Sequence, residues 1–203
     1  MDAFNLLKAD HRKVAQLFEE LESANGKAKL QVFEQIKMEL ELHAHIEEKI
    51  FYPALEKPRE THDLTLEAYE EHDVVKNLLR QLGRAKTAND EWEAQAKVLQ
   101  ENVEHHVEEE ENELFPKAES ALGDDRIEAL GEEMAAEKER KQGRTASKSS
   151  KKSGAAKKSA SKTKSASTAA KRARASKTGG SKGTSKSSKS AKGSRSKKSA
   201  KKR

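Results

Sequence analysis

The 203-residue sequence is 37% charged and 33% hydrophobic, with a formal net charge of +6. That average conceals two opposed segments. Residues 1–140 carry 18 Lys/Arg and 35 Asp/Glu, a net charge of −17, whereas residues 141–203 carry 23 Lys/Arg and no acidic residue, a net charge of +23. This asymmetry is typical of a folded domain joined to a tail that binds nucleic acid or an anionic surface.

The composition also excludes several classes of protein. No stretch approaches the roughly 18 continuous apolar residues of a membrane helix, and the first residues lack the apolar core of a secretory signal. The absence of cysteine excludes disulfides, thiolate metal sites and cysteine nucleophiles. We therefore expect a cytoplasmic protein.

Residues 1–140 show helical periodicity almost throughout, because apolar residues recur at alternating steps of three and four. The expected core of these helices includes Phe18, Phe33 and Trp92. The pattern predicts four long helices at roughly Phe4–Leu21, Ala28–Tyr52, His62–Leu82 and Asp90–Phe115.

Short breaks separate the predicted helices and set the fold class. They are expected at Asn25-Gly26, at Pro53 and Pro58, at Gly83, and at Pro116. Short connections favour antiparallel neighbours, so the sequence predicts an all-α, up-down-up-down four-helix bundle.

A fifth, shorter helix is expected after Gly123. Either Asp124 or Asp125 would cap it. Its apolar positions are Ile127, Leu130 and Met134.

Each of the four apolar stripes contains a histidine where an aliphatic residue is expected, and two stripes add a glutamate one turn later. Positions i and i+4 share a helix face, so the histidine and glutamate of a pair converge on one point. The second and fourth helices repeat this pattern at the same offsets, which indicates a duplicated helix pair. The six residues are His11, His43, Glu47, His72, His106 and Glu110.

The six residues together predict a metal site in one layer of the core. A single core histidine is most often only hydrogen-bonded, but ionised carboxylates in a core are costly unless they are paired or bind a metal. Imidazole and carboxylate donors suit iron, manganese or zinc. The remaining histidines, His45, His62 and His105, lie off the stripes and are expected at the surface.

The run of His11, His43-x-x-x-Glu47, His72 and His106-x-x-x-Glu110 resembles the hemerythrin-like HHE cation-binding family over about residues 1–120. The matching flanks are Asp10-His11-Arg12, Glu48 with Phe51 and Pro53, Glu71-His72, and Glu111 with Phe115 and Pro116.

The resemblance implies a hemerythrin-like four-helix bundle with a non-haem di-iron centre, bridged by an oxygen species and by the carboxylates of Glu47 and Glu110. The four stripe histidines would be terminal ligands of two iron ions. Oxygen-carrying members place a fifth histidine where this chain has Lys76. The resemblance therefore favours members associated with oxygen, nitric oxide or redox sensing, iron handling and iron-centre repair.

Residues 141–203 contain no large apolar residue, so they cannot bury enough surface to fold and are predicted to be a disordered basic tail. Their composition is similar to that of linker-histone and bacterial histone-like tails. They have charge but neither aromatic residues for base stacking nor a hydrophobic anchor for a membrane. Non-sequence-specific DNA binding is therefore the favoured function, and a solubilising extension is the alternative.

The two segments together predict a di-iron protein, with a metal-binding domain at 1–140, tethered to DNA and associated with the nucleoid. It would bind or sense oxygen, peroxide or nitric oxide, or handle iron, rather than turn over a substrate. One alternative is a redox enzyme that consumes peroxide or repairs iron centres. The other is a DNA-compacting protein with a mainly structural bundle.

Overall fold

The computed structural model describes the backbone of residues 1–160 and the side chains of residues 1–143. Two π-helical turns, Glu47–Phe51 and Glu110–Leu114, interrupt the α-helices. The helices are α1 (Ala3–Ser23), α2 (Lys27–Ile46), α3 (Tyr52–Leu55), α4 (Arg59–Leu82), α5 (Asp90–Glu109), α6 (Phe115–Leu122) and α7 (Asp124–Ala160). The pairs α1–α2 and α4–α5 pack together and form the predicted up-down-up-down bundle, so the all-α fold class is confirmed.

Side-chain caps fix where two of the long helices begin. Asp2 accepts a hydrogen bond from the backbone N–H of Asn5 at 2.8 Å, and Asn89 accepts one from that of Trp92 at 3.0 Å. Each cap satisfies a donor that has no partner within its helix. Gly123 ends α6 with a φ of 74°, a conformation that glycine adopts without strain.

The prolines at 53 and 116 do not end their helices, which corrects the sequence prediction. Each follows a π turn and occupies the first turn of the next helix, α3 or α6. A proline in a first turn is tolerated because its missing N–H would have no intrahelical partner there. Only Pro58 lies in a break, directly before α4.

Helix α7 begins after Gly123, as predicted, and its apolar face packs against the bundle. It is longer than expected, and Asp124 and Asp125 lie in its first turn rather than capping it. Ile127, Leu130 and Met134 are all buried. The helix extends to Ala160, beyond the predicted domain boundary at 140. Propagating a helix is less costly than starting one, so the extension continues from turns that are already docked. Its sequence contains Ala, Lys and Arg but also Ser and Gly, and no Glu. The remaining part of the predicted disordered tail, residues 161–203, lies outside the described residues.

The buried core consists of two apolar clusters. In each of the four helices, the histidine lies between a residue of one cluster and a residue of the other. Phe18, Phe33 and Trp92 belong to the first cluster, as expected. The residues that flank the four histidines are Leu7 and Val14, Leu40 and Ile46, Ala68 and Val75, and Val103 and Leu114. A polar layer therefore separates the two clusters. Within residues 1–160, no helix is both long enough and apolar enough to cross a membrane.

Candidate metal centre

The polar layer contains all six predicted site residues, and each of them is at most 6% exposed. Their ligand atoms form two groups that share Glu47, and within each group the atoms lie within 4.8 Å of one another. The first group is His11, His43, Glu47 and Glu110, and the second is Glu47, His72 and His106. Helices α1, α2, α4 and α5 thus each contribute one histidine to the same site.

Each glutamate lies between histidines of two different helices. Oε2 of Glu47 is 3.1 Å from Nε2 of His43 and 3.4 Å from Nε2 of His72. Oε2 of Glu110 is 3.4 Å from Nε2 of His11 and 3.7 Å from Nε2 of His106. The two halves of the site therefore have the same plan, as the repeated sequence pattern indicates.

The π turns begin at these two glutamates. In the first turn the N–H of Tyr52 bonds to the carbonyl of Glu47, and in the second the N–H of Phe115 bonds to that of Glu110. A π turn is a wide i→i+5 turn that commonly occurs at functional sites. Sequence periodicity did not reveal either turn, although a proline six residues after each glutamate was the available signal.

The donor set fits a cation. Among residues 1–143, the buried side-chain atoms without a hydrogen-bond partner include Nε2 of His11, both carboxylate oxygens of Glu47 and Oε2 of Glu110. Buried polar atoms are normally paired, and leaving a charged one unpaired is costly. Because the unpaired atoms face one another, a bound metal ion would satisfy them together.

The opposite ring nitrogen of each stripe histidine faces a carboxylate. Nδ1 of His11 is 2.7 Å from Glu111, Nδ1 of His72 is 2.9 Å from Glu48, Nδ1 of His106 is 2.7 Å from Glu71, and Nδ1 of His43 is 3.6 Å from Asp10. Such outer carboxylates orient metal-binding imidazoles and raise their basicity. The sequence motif includes these acidic residues beside the histidines and glutamates, but it does not indicate that they orient the imidazoles.

Opposed charges shift the pKa values of the site. Burial alone would lower the pKa of His43, but the Glu47 carboxylate and neighbouring acids raise it to about 10. Burial acts in the same direction on His72, yet Glu47 and Glu48 raise its pKa to about 9. The pKa of Glu47 lies well below its ordinary value, because the contacts with His43 and His72 outweigh burial. A cation that binds here therefore displaces protons from imidazoles.

Tyr52 is a buried site residue that sequence reasoning missed. Its hydroxyl donates to Oε1 of Glu110 at 2.9 Å and lies 3.3 Å from Nε2 of His72. Burial and the nearby Glu110 raise the pKa of the phenol well above its ordinary value, so it remains a neutral donor. The available signal was a difference between the repeats, since Phe115 occupies the corresponding position in the second half.

Lys76, at the position of the fifth histidine in oxygen carriers, lies outside the ligand layer. Its Nζ is 2.5 Å from Oε1 of Glu48 and 3.4 Å from Oδ1 of Asp73. Since Glu48 also accepts from His72, Lys76 contacts an outer carboxylate rather than joining the inner donors.

The three remaining histidines have other surroundings. His62 is exposed, and its Nδ1 is 2.8 Å from the carbonyl oxygen of Glu56. His105 is also exposed and lies 3.3 Å from Glu109. His45 is half-buried, because it faces Glu137 of α7 at 2.7 Å.

A small cavity of about 30 Å³ adjoins the four stripe histidines. Its lining also includes the charged side chains of Asp10, Glu41 and Lys76. The aliphatic lining includes Val14, Leu40, Val75, Leu79 and Val103.

Buried histidines and glutamates face one another inside a four-helix bundle, between two apolar clusters. This arrangement places the chain in the class of helical-bundle metal-binding proteins. The model of the hemerythrin HHE cation-binding domain matches residues 2–118. The chain therefore belongs to this family, which confirms that part of the resemblance.

Several known proteins are similar to this chain in sequence, and one solved structure is similar in fold. A DNA nickase of Nostoc sp. is 31% identical over 151 residues, which cover 74% of this chain but 43% of the relative, so the chain spans less than half of that protein. The uncharacterized protein Rv2633c of Mycobacterium tuberculosis is 31% identical over 70% of this chain and 89% of its own. A crystal structure is known for an Rv2633c homolog from Mycobacterium kansasii, which contains this domain. Its sequence is 28% identical to this chain, and the two structures match with a TM-score of 0.64. The match covers 73% of this chain and 91% of the homolog.

Proposed function

We propose that the bundle holds a non-haem di-iron centre that binds or senses oxygen, peroxide or nitric oxide, and that residues 141–203 tether it to DNA. The observation that carries the metal assignment is the pair of glutamates, each between histidines of two helices, with unpaired carboxylate oxygens facing the layer. Two ions would use two histidines each and share both carboxylates. Iron would supply electrons for binding these ligands, which redox-inactive zinc does not.

The size of the cavity beside the histidines supports a small ligand. A cavity needs about 10–15 Å³ to hold one water, so about 30 Å³ has room for a diatomic molecule or peroxide.

The chain's own residues would orient the donors and control protons. Outer carboxylates such as Glu71 and Glu111 hold the imidazoles in position. The Tyr52 hydroxyl occupies one oxygen of Glu110 and leaves the other facing His11 and His106.

Metal analysis combined with an absorption spectrum before and after reduction tests the centre. Protein purified aerobically should contain about two irons per chain and show visible or near-ultraviolet absorption that reduction abolishes. A colourless protein, or one that contains only zinc, would contradict the proposal.

Variants of the bridging glutamates test the ligand assignment. Glu47→Ala and Glu110→Ala should each lose most of the bound iron, because each glutamate faces both halves of the site. Glu34→Ala is the matched control, since Glu34 is an exposed residue of the same helix as His43. A Glu47→Ala protein that keeps two irons per chain would show that this residue is not a bridge.

The distribution of charge supports the DNA tether. Residues 141–203 carry a net charge of +23, whereas residues 1–140 carry a net charge of −17. Full-length protein should retard duplex DNA of any sequence, with affinity falling by a log–log slope of about −0.9 per phosphate contact as salt rises. A chain ending at Gly143 should keep its iron and lose DNA binding. Equal retardation by both proteins at the same salt would place the DNA contacts in the bundle.

A second candidate is metal-dependent DNA nicking, which the name of the Nostoc relative favours. Supercoiled plasmid incubated with iron- or manganese-loaded protein distinguishes the two functions. Conversion to open circles that EDTA prevents would support nicking, whereas retardation without strand breaks would support the tether alone.

A further inference from the structure

Among the four outer carboxylates, Asp10 lies farther from its histidine than the other three do. Glu48, Glu71 and Glu111 contact their histidines at 2.7–2.9 Å, within hydrogen-bond range. Oδ2 of Asp10 is 3.6 Å from Nδ1 of His43, which is too long for a hydrogen bond. The orientation of His43 therefore depends on a longer electrostatic contact, and hence on where Asp10 is held.

Asp10 is shared between His43 and a lysine of α7. Its Oδ1 accepts a hydrogen bond from Nζ of Lys138, while its Oδ2 faces His43. Asp10 is only 7% exposed. Lys138 contacts Oδ1, the carboxylate oxygen of Asp10 that does not face His43. This contact fixes where Asp10 lies.

Other contacts of α7 fix the position of Lys138. Ile127, Leu130 and Met134 are buried against the bundle. One residue before Lys138, the carboxylate of Glu137 lies 2.7 Å from both His45 and Lys49, which flank Glu47 in sequence. The helix is thus attached to the segment that carries His43 and Glu47, although it lies beyond residues 2–118 matched by the family model.

We propose that Lys138 is a positioning residue of the metal centre, which holds Asp10 so that its free oxygen orients His43. Helix α7 then completes the half of the site formed by His11 and His43, whereas Glu48 and Glu71 orient His72 and His106 from within the bundle. This inference rests on the proposed metal-binding function.

Zinc binding to the full-length chain, measured by competition with a chromophoric chelator, tests the inference. Lys138→Met should weaken one of the two zinc sites by about 10–100-fold, the usual effect of losing an outer-shell partner, and leave the other unchanged. Lys138→Arg should restore the weakened site because it keeps the cation.

Two further variants separate positioning from general docking. Arg140→Met removes a cation two residues along α7 that contacts Glu137, and it should bind zinc like the wild type. Adding Lys138→Met to Asp10→Asn should cause no further loss, because both changes break one chain of contacts.

The outcomes distinguish the inference from the function on which it rests. Unchanged affinities in Lys138→Met, an equal loss at both sites, or additive losses in the double variant would overturn the positioning role while metal binding stands. A wild-type chain that binds neither zinc nor iron would overturn the proposed function itself.

Discussion

At the scale of single residues, the centre depends on buried groups that a core would otherwise exclude. Glu47 is fully buried, and both of its carboxylate oxygens lack a hydrogen-bond partner among residues 1–143. Such a residue costs stability unless a cation binds to it. Burying these donors therefore lowers the stability of the metal-free fold, but it places them where they face one another.

Tyr52 offers a test of how one hydrogen bond supports the site. Tyr52→Phe removes the donor to Oε1 of Glu110 and leaves a buried carboxylate oxygen unpaired. We expect a loss of about 1–3 kcal/mol in the free energy of unfolding of the metal-free protein, measured by urea denaturation. Tyr69→Phe is the matched control, because Tyr69 bonds to Glu56 at the exposed surface, and it should change stability by less than about 0.5 kcal/mol. Equal losses in the two variants would contradict a special role for Tyr52.

The sequence allowed the six inward residues to be predicted because polar residues on an apolar stripe are conspicuous. It did not reveal Tyr52, because an aromatic residue on a stripe looks like ordinary core. The roles of Asp10 and Glu71 were hidden for a different reason. Their contacts with His43 and His106 join separate helices, and only the packing of those helices brings them together.

At the scale of elements, the sequence predicted two features wrongly: that helices end at Pro53 and Pro116, and that the fifth helix is short. Pro53 and Pro116 resemble helix ends, but the π turn before each one lets the helix restart. Hydrophobic periodicity assumes 3.6 residues per turn and does not register a wider turn. The docked face of α7 was predictable from Ile127, Leu130 and Met134, whereas its extension to Ala160 has no apolar stripe to indicate it.

Gly131 allows α7 to approach the beginning of α1 closely. A Cβ atom at this position would lie 2.4 Å from the backbone oxygen of Met1 and 2.6 Å from the nitrogen of Ala3. Gly131→Ala should therefore force the two segments apart and destabilise the protein by about 1–3 kcal/mol.

The control for this prediction is a second glycine of the same helix. Nothing lies within 4 Å of a Cβ at Gly143, so Gly143→Ala should stabilise the helix by up to about 1 kcal/mol. Urea unfolding of the full-length variants measures both effects. If Gly131→Ala is as stable as Gly143→Ala, α7 does not pack closely against residues 1–3.

At the scale of the whole molecule, the net charge of +6 is the sum of an acidic segment and a basic segment. The acidic segment contains the six buried site residues, whereas the basic segment has no large apolar residue with which to form a core. The fold of the first segment followed from periodicity and short connections. The function of the second is predicted from charge alone, because a phosphate-binding tail requires no fixed geometry.

Metal binding should stabilise the folded molecule as a whole, because the unfolded chain cannot bring six donors from four helices together. At a free metal concentration about 100 times the dissociation constant, each bound ion adds about 2.7 kcal/mol, equivalent to a rise in Tm of about 5–10 °C per ion for a protein of this size. Calorimetry of chelator-treated protein, before and after anaerobic addition of ferrous iron, measures the shift. Glu34→Ala should show the same rise as the wild type, whereas Glu47→Ala should show little. A comparable rise in Glu47→Ala would mean that iron stabilises the protein through exposed carboxylates rather than through the buried layer.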